Sequence, residues 1–274
     1  LDDFVDSIRN NKKPPHNAIV ISFDDGFNDN YVNAYPVLKK YGFKAAFFVI
    51  GNSLVENGTI CTHALYTILD QLNGQTFCAS LENFFSLNID NLTNKSKTEI
   101  AKALRTKLDR LSFQEKIDML RRICEQNRID FREIISAGAY MSRDELSTLC
   151  KEGHLLGAHS MTHDKLTQLP LSLAKSEIIC SKHIVENISG SDFVPFSYPH
   201  GTRDSFNSEI KRCLRENQLG CAVTTIEGLN RMNSDLYKLK RIEIGNFNKI
   251  EFVAHLSGFI GDMKMILKKA LNWK

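Results

Sequence analysis

Short apolar runs alternate with amphipathic segments along most of this chain, and that alternation is what most constrains its fold. About six such runs occur, and nearly all are followed by a helical pattern. The arrangement predicts an α/β fold, an irregular (β/α) barrel of about six to seven parallel strands. Functional side chains are then expected at the carboxyl ends of the strands. The predicted strands are 18–23, 45–50, 154–158, 193–197, 221–225 and 236–244.

A stretch at about residues 61–135 interrupts the alternation. Its pattern is mostly helical and polar, and its clearest helices are predicted at 96–109 and 113–127. Ser112 followed by Glu115 predicts a capping box at the start of the second helix. We interpret the stretch as an α-helical insertion between two barrel strands, within a single domain that comprises the whole chain, 1–274. Further helices are predicted at 29–41, 143–152, 170–187 and 205–217, and from about Lys249.

Composition and charge exclude several classes of protein. Hydrophobic residues make up 42% and charged residues 24% of the chain, which is ordinary for a soluble globular protein. No stretch approaches the ~20 apolar residues of a membrane span. The formal net charge is +3, and no cluster combines basic and aromatic residues as nucleic-acid binding would require. The basic residues between Lys264 and Lys274 predict a solvated helix face.

The cysteines indicate a reducing environment. The chain contains seven, an odd number, widely spaced and without a Cys-x-x-Cys pair, which argues against a disulfide framework and a structural zinc site. Cys124 and Cys150 occupy apolar helix positions, where a free cysteine acts as a small hydrophobic residue. We therefore predict a cytoplasmic location, while the sequence leaves the oligomeric state open.

Three polar clusters follow predicted strands, at residues 24–25, 159–163 and 197–201. Two adjacent carboxylates at a strand end repel each other, and a divalent cation is their natural partner. His159 and His163 are four residues apart, so on a helical turn both imidazoles would share one face and could share one metal. Two imidazoles and one carboxylate leave coordination positions open for water and substrate, as in a catalytic site.

Each of these clusters has a simpler interpretation when taken alone. An Asp-Asp-Gly sequence is usually a turn or a helix entry. Histidines four residues apart also occur on solvated helix faces. The joint occurrence of these clusters at the same end of neighbouring strands is what favours a metal site.

The same clusters resemble the motifs of a known family. Residues 22–26 (Ser-Phe-Asp-Asp-Gly), 159–163 (His-Ser-Met-Thr-His) and 196–201 (Phe-Ser-Tyr-Pro-His-Gly) are similar to the first three motifs of the polysaccharide deacetylases, the NodB-homology domains of carbohydrate esterase family four. The resemblance covers residues 18–51 and 140–245 and fits the insertion poorly. It implies a NodB-like barrel and a metal-dependent hydrolase that removes N-linked acetyl groups from a sugar of a polysaccharide, a glycolipid or its activated precursor.

The resemblance also implies a role for each residue. Asp25, His159 and His163 would hold a divalent metal ion, most often zinc. Asp24 would be the general base that activates the attacking water. The backbone N–H of His200 would stabilise the oxyanion. The rest of the third motif is predicted to bind substrate, through Tyr198, Pro199 and Gly201.

Two departures from the family pattern affect the predicted catalytic groups. Ser197 stands where many members carry an Arg that pairs with the base, and we predict that Arg241 replaces it; the alternative is an ordinary ion pair with Glu243. The family often supplies a general acid from a His near the C-terminus. Here His255 is predicted to be a surface or packing residue, which leaves His200 as the alternative acid.

The start of the chain bears on the same question. Relatives with a Tyr-Pro third motif commonly carry an upstream strand that contains a Tyr-His pair, and this chain begins at Leu1, after that point. We therefore expect that a barrel strand and a catalytic His can lie upstream of it.

Two other functions remain open at this stage. The first is hydrolysis of a small cyclic or linear amide on the same fold. The second is a catalytically impaired, metal-binding protein that recognises glycans, which the missing Arg and general acid would favour.

Overall fold

A computed structural model describes residues 1–14, 18–55, 58, 60–72, 99, 104, 108, 111–136 and 140–257. The predicted helix 96–109 lies almost entirely outside the described residues, as do Cys78 and the basic residues from Lys264 onward. All three polar clusters lie within them.

Six strands form one parallel sheet in the order β1 to β6, so each strand pairs with the next one along the chain. The sheet curls into a half-barrel with helices around it, which confirms the predicted α/β class. The strands are β1 (Ile21–Phe23), β2 (Ala45–Val49), β3 (Leu155–Ala158), β4 (Phe196–Ser197), β5 (Ala222–Glu227) and β6 (Leu239–Arg241).

Most strands are shorter than their apolar runs. Ile19 and Val20 were predicted to start β1, yet they precede its paired residues and expose 66% and 43% of their surface. Strand β4 pairs over only two residues, although the apolar run before it is buried. An apolar run indicates that its residues are buried, whereas a strand also requires hydrogen bonds to a neighbouring strand. The prediction therefore overstated the lengths of most strands.

Nine helices lie within the described ranges. They are α1 (Asp2–Arg9), α2 (Tyr35–Tyr41), α3 (Cys61–Gln71), α4 (Phe113–Gln126), α5 (Phe131–Ser136), α6 (Arg143–Lys151), α7 (Leu171–Ser189), α8 (Ser208–Glu216) and α9 (Lys249–Leu256). The capping box at Ser112 and Glu115 is confirmed, and a second one at Ser142 opens α6. The predicted helix 29–41 divides into a π-helical turn and α2, because Pro36 in the first turn of α2 has no N–H to continue the hydrogen-bond ladder.

The main hydrophobic core lies between the sheet and its outer helices, and it includes Phe47 of β2, Leu146 of α6 and Ile178 of α7. A smaller cluster packs Val5 of α1 with Phe48 of β2 and further residues of the β5–β6 side. Two hydrophobic clusters thus pack against the sheet, and the three polar clusters lie at or just after the ends of β1, β3 and β4.

The helices α3, α4 and α5 have a hydrophobic cluster of their own, which includes Leu65, Leu120 and Ile134. This cluster is separate from the core of the sheet, as an insertion would predict, and the division of the chain into domains stays a prediction. Among the described helices, none has the length and apolarity to cross a membrane. The described cysteines are free: Cys61, Cys124, Cys150, Cys180, Cys213 and Cys221.

Candidate active site

The three predicted metal ligands meet at the carboxyl ends of β1 and β3. Their ligand atoms, one from each of Asp25, His159 and His163, all lie within 4.8 Å of one another. Asp25 Oδ1 is 3.3 Å from His159 Nε2 and 3.4 Å from His163 Nε2. The structure therefore brings together the three residues that the resemblance implied as metal ligands.

The chemistry of these atoms fits a divalent cation. Asp25 Oδ1 is buried and makes no hydrogen bond of acceptable geometry to any described residue, although both imidazoles point toward it. The Nδ1 atom of His159 lies 2.7 Å from the carbonyl oxygen of Ser197. A carbonyl only accepts, so Nδ1 carries the proton and Nε2 keeps a lone pair for a metal.

The backbone that carries the two histidines is a loop, so the predicted helical turn was wrong. Ser160 and His163 adopt left-handed conformations, with φ of 61° and 63°. The N–H of His163 donates to Ser160 Oγ at 3.0 Å, and the N–H of Gly51 donates to the Ser160 carbonyl at 2.8 Å. These contacts satisfy loop groups that a helix would otherwise have paired.

A buried carboxylate that sequence reasoning missed holds the same loop. Glu177 on α7 is only 5% exposed, and it accepts the N–H groups of Met161 at 2.8 Å and Thr162 at 2.9 Å. Burial raises the pKa of Glu177, although the two N–H groups partly oppose this rise. The sequence contains one signal, an acidic residue on the apolar side of a helix beside Ile178, where charged residues are rare unless they have a partner.

Asp24 lies next to the metal-ligand set and forms a bidentate ion pair with Arg241. The Nη1–Oδ1 and Nη2–Oδ2 distances are 2.7 and 2.6 Å, and Ser197 Oγ donates to Oδ2 at 3.1 Å. Arg241 is itself fixed by donation from Nε to the Thr224 carbonyl at 2.9 Å. Its partner is thus Asp24 and not the alternative, Glu243. Because Arg241 extends from β6, the pair also bridges the two edge strands of the curled sheet.

The surroundings keep Asp24 ionised. Burial would raise its pKa, but the hydrogen bonds and charge of Arg241, together with the charge of His159, outweigh burial and lower it. An ionised carboxylate held in one orientation can accept a proton from water. Its role as the base stays a prediction.

The third motif divides between the site and the core. The ring of His200 lies 5.2 Å from the ring of His163, centroid to centroid. Tyr198 is completely buried, stacks on Phe206, and donates its hydroxyl to the Tyr237 carbonyl at 2.9 Å. The side chain of Tyr198 is therefore part of the core and unable to contact substrate, which corrects the prediction. Pro199 and Gly201 are also buried, and their substrate contacts stay predictions.

Tyr140 is a second residue that sequence reasoning missed. Its ring stacks on Phe27 at 5.2 Å, and His63 of the insertion packs edge-on against it. The hydroxyl is buried and has no hydrogen bond to the described residues. Burial and the negative charge of Asp25 raise the pKa of this phenol, so it stays protonated beside the site.

His255 is packed, as predicted, but it is not a free surface residue. Its Nδ1 lies 3.2 Å from a carboxylate oxygen of Glu227, and its ring stacks on Phe247 with centroids 4.4 Å apart. Glu227 pairs in register with Arg241 across β5 and β6. The histidine is therefore separated from Asp24 by two intervening residues, Glu227 and Arg241.

Replacing Gly201 by Ala should lower the free energy of unfolding by at least about 2 kcal/mol, more than the same change at Gly190. Both glycines are left-handed, with φ of +62° and +64°. A Cβ on Gly201 would lie 2.5 Å from the backbone N of Thr225, whereas one on Gly190 would meet nothing within 4 Å. Urea unfolding of both variants separates backbone strain from the steric clash, and equal losses would contradict this account.

Comparisons with solved structures support the fold. The Streptococcus pyogenes deacetylase PplD in complex with acetate superposes with a TM-score of 0.59 at 17% identity, over 93% of this chain and 77% of that chain. The BpsB deacetylase domain from Bordetella bronchiseptica gives 0.52 at 14% identity, over 86% and 75% of the two chains. A de-N-acetylase from Aggregatibacter actinomycetemcomitans gives 0.52 at 13% identity, over 93% and 80%.

In sequence, the similarity to known proteins extends beyond the motifs to most of the chain. "Putative polysaccharide deacetylase YxkH" from Bacillus subtilis (strain 168) is 60% identical over 43 residues, a match that spans 16% of this chain and 15% of that protein. Residues 11–221 match the family profile described as polysaccharide deacetylase, which covers well over half of the chain. With the family's motifs gathered at one end of its sheet, the chain belongs to the polysaccharide deacetylase family.

Proposed function

We propose that this chain is a metal-dependent hydrolase that removes N-linked acetyl groups from a sugar of a polysaccharide, a glycolipid or its activated precursor. Membership of the family supports sugar deacetylation in general. The observation that carries the proposal is the convergence of His159 Nε2 and His163 Nε2 on the buried Asp25 Oδ1, beside an oriented second carboxylate. We further propose zinc as the cation, because imidazole and carboxylate ligands suit it.

A divalent cation held by Asp25, His159 and His163 would acidify a coordinated water and polarise the acetyl carbonyl. Asp24 would accept the proton of the attacking water, since Arg241 and Ser197 fix both of its oxygens and favour the ionised form.

The remaining charge and proton transfers fall to the third motif. We assign the backbone N–H of His200 to the developing oxyanion. Its imidazole, which lies beside His163, is our candidate for protonating the leaving amine. A cytoplasmic location completes the proposal, and the free thiols of the described cysteines support it.

Acetate release from a panel of N-acetylated saccharides, with and without a chelator, tests the proposal. We expect release from at least one saccharide and its loss on chelation. Hydrolysis of small cyclic or linear amides with no release from any saccharide would favour the amide hydrolase. Saccharide binding without release, in zinc-loaded protein, would favour the glycan-recognition protein.

A further inference from the structure

We infer that Lys116, on helix α4 of the insertion, is a positioning residue for the metal centre. It acts through Asp164, the residue that directly follows the ligand His163. The inference rests on the proposed function, because it requires that Asp25, His159 and His163 bind a cation. It gives the helical insertion a part in the chemistry of the barrel.

The first observation is a buried ion pair. The Nζ atom of Lys116 pairs with Oδ1 of Asp164, 48 residues away, and the two side chains are only 6% and 13% exposed. In the pair between Lys39 and Glu152, by contrast, 58% and 36% are exposed. Removing one partner of a buried pair leaves a charge without compensation, so separating Lys116 from Asp164 costs free energy while both stay buried. The contact therefore resists displacement of residue 164 from α4.

The second observation is the strained loop on which this pair acts. Left-handed backbone costs roughly 1–2 kcal/mol at each non-glycine residue, and the loop contains two of these, Ser160 and His163. Contacts from outside must therefore hold the loop in place. Glu177 supplies them on the barrel side, at the N–H groups of residues 161 and 162. Lys116 supplies the contact at residue 164, on the other side of His163.

The third observation is the hydrophobic packing of the helix that carries Lys116. Leu120, one turn further along α4, is fully buried and belongs to the hydrophobic cluster of the insertion, as does Ile123. That cluster is separate from the core that supports the barrel. The metal-ligand loop thus contacts α7, which packs in the core of the sheet, and α4, which packs in the cluster of the insertion. The ion pair is a contact through which the insertion can position His163.

Lys116→Met should weaken the affinity of the metal-free protein for Zn²⁺ about tenfold, the lower end of the range for residues that orient metal ligands. Lys116→Arg keeps the charge and should retain most of the affinity. The measurement is competition with a chromogenic chelator. Lys182→Met is the matched control, since Lys182 pairs with Glu186 within α7, at 14% and 28% exposure. It should bind zinc like the parent.

Urea unfolding of the same metal-free proteins separates positioning from simple stability. Lower stability of Lys116→Met with parental zinc affinity would overturn the inference and leave Lys116 a purely structural residue. If Lys116→Met does not fold, the double variant Lys116→Met with Asp164→Asn replaces it, because it removes both buried charges. The double variant should also bind zinc more weakly than the parent. Parental zinc affinity of the double variant would overturn the inference. A parent chain that binds no zinc would instead overturn the proposed function.

Discussion

Replacing Asp24 by Asn is expected to lower the turnover of acetate release by about 10²–10⁴-fold, the usual contribution of a general base. The amide has almost the same shape as the carboxylate, and its oxygen can still accept from Arg241 or Ser197. It cannot take a proton from water at neutral pH. Zinc binding should persist, because Asp25 and the two histidines are unchanged.

The control must separate loss of the base from loss of an ion pair. Asp24 and Arg241 are 26% and 19% exposed, so the amide also leaves a partly buried guanidinium without its counter-charge. Asp235→Asn makes the same change in an ion pair outside the site, with Lys211 at 2.8 Å, and should keep parental turnover. Urea unfolding of both variants measures the cost in stability. Acetate release at the parental rate by Asp24→Asn would show that another group is the base.

The parallel type of the strands could be predicted because nearly every apolar run is followed by a helical pattern, and that alternation favours a parallel sheet. The limits of the strands could not. Residues 18–20 are as apolar as the paired residues 21–23, yet only the latter reach hydrogen-bonding partners on β2. Hydrogen-bond pairing depends on a neighbouring strand that is distant in sequence, so an apolar run alone does not indicate which of its residues are paired.

In the candidate site too, features set by neighbouring residues could be predicted, and features set by contacts distant in sequence could not. Asp25, His159 and His163 could be named because they lie in short motifs that follow strands and resemble the motifs of the family. The conformation of their loop could not, because Glu177 and Lys116 stabilise it from other helices and have no motif of their own. Arg241 could be named as a strand-end cation, but its choice of Asp24 over Glu243 depends on how β6 approaches β1 in the curled sheet.

His163→Ala should reduce zinc affinity by well over 100-fold, because loss of a ligand exceeds the 10–100-fold effect of losing a group that orients one. Acetate release at limiting zinc should fall with it. His163 is the better ligand to remove, since His159 is 2% exposed and holds the Ser197 carbonyl, so its loss would also disturb the junction of β3 and β4. Zinc competition and acetate release, measured on the same metal-free preparation, provide the test.

His183→Ala is the matched control, an exposed histidine on α7, and it should match the parent in both measurements.

Excess zinc then distinguishes a metal ligand, His163, from the proton acceptor, Asp24. If His163 acts through metal occupancy, added zinc should restore part of the turnover of His163→Ala, because it refills a weakened centre. It should restore none in Asp24→Asn, where the centre is already full and the proton acceptor is missing. Parental zinc affinity in His163→Ala would contradict the ligand assignment, and with it the metal centre on which the proposed hydrolysis depends.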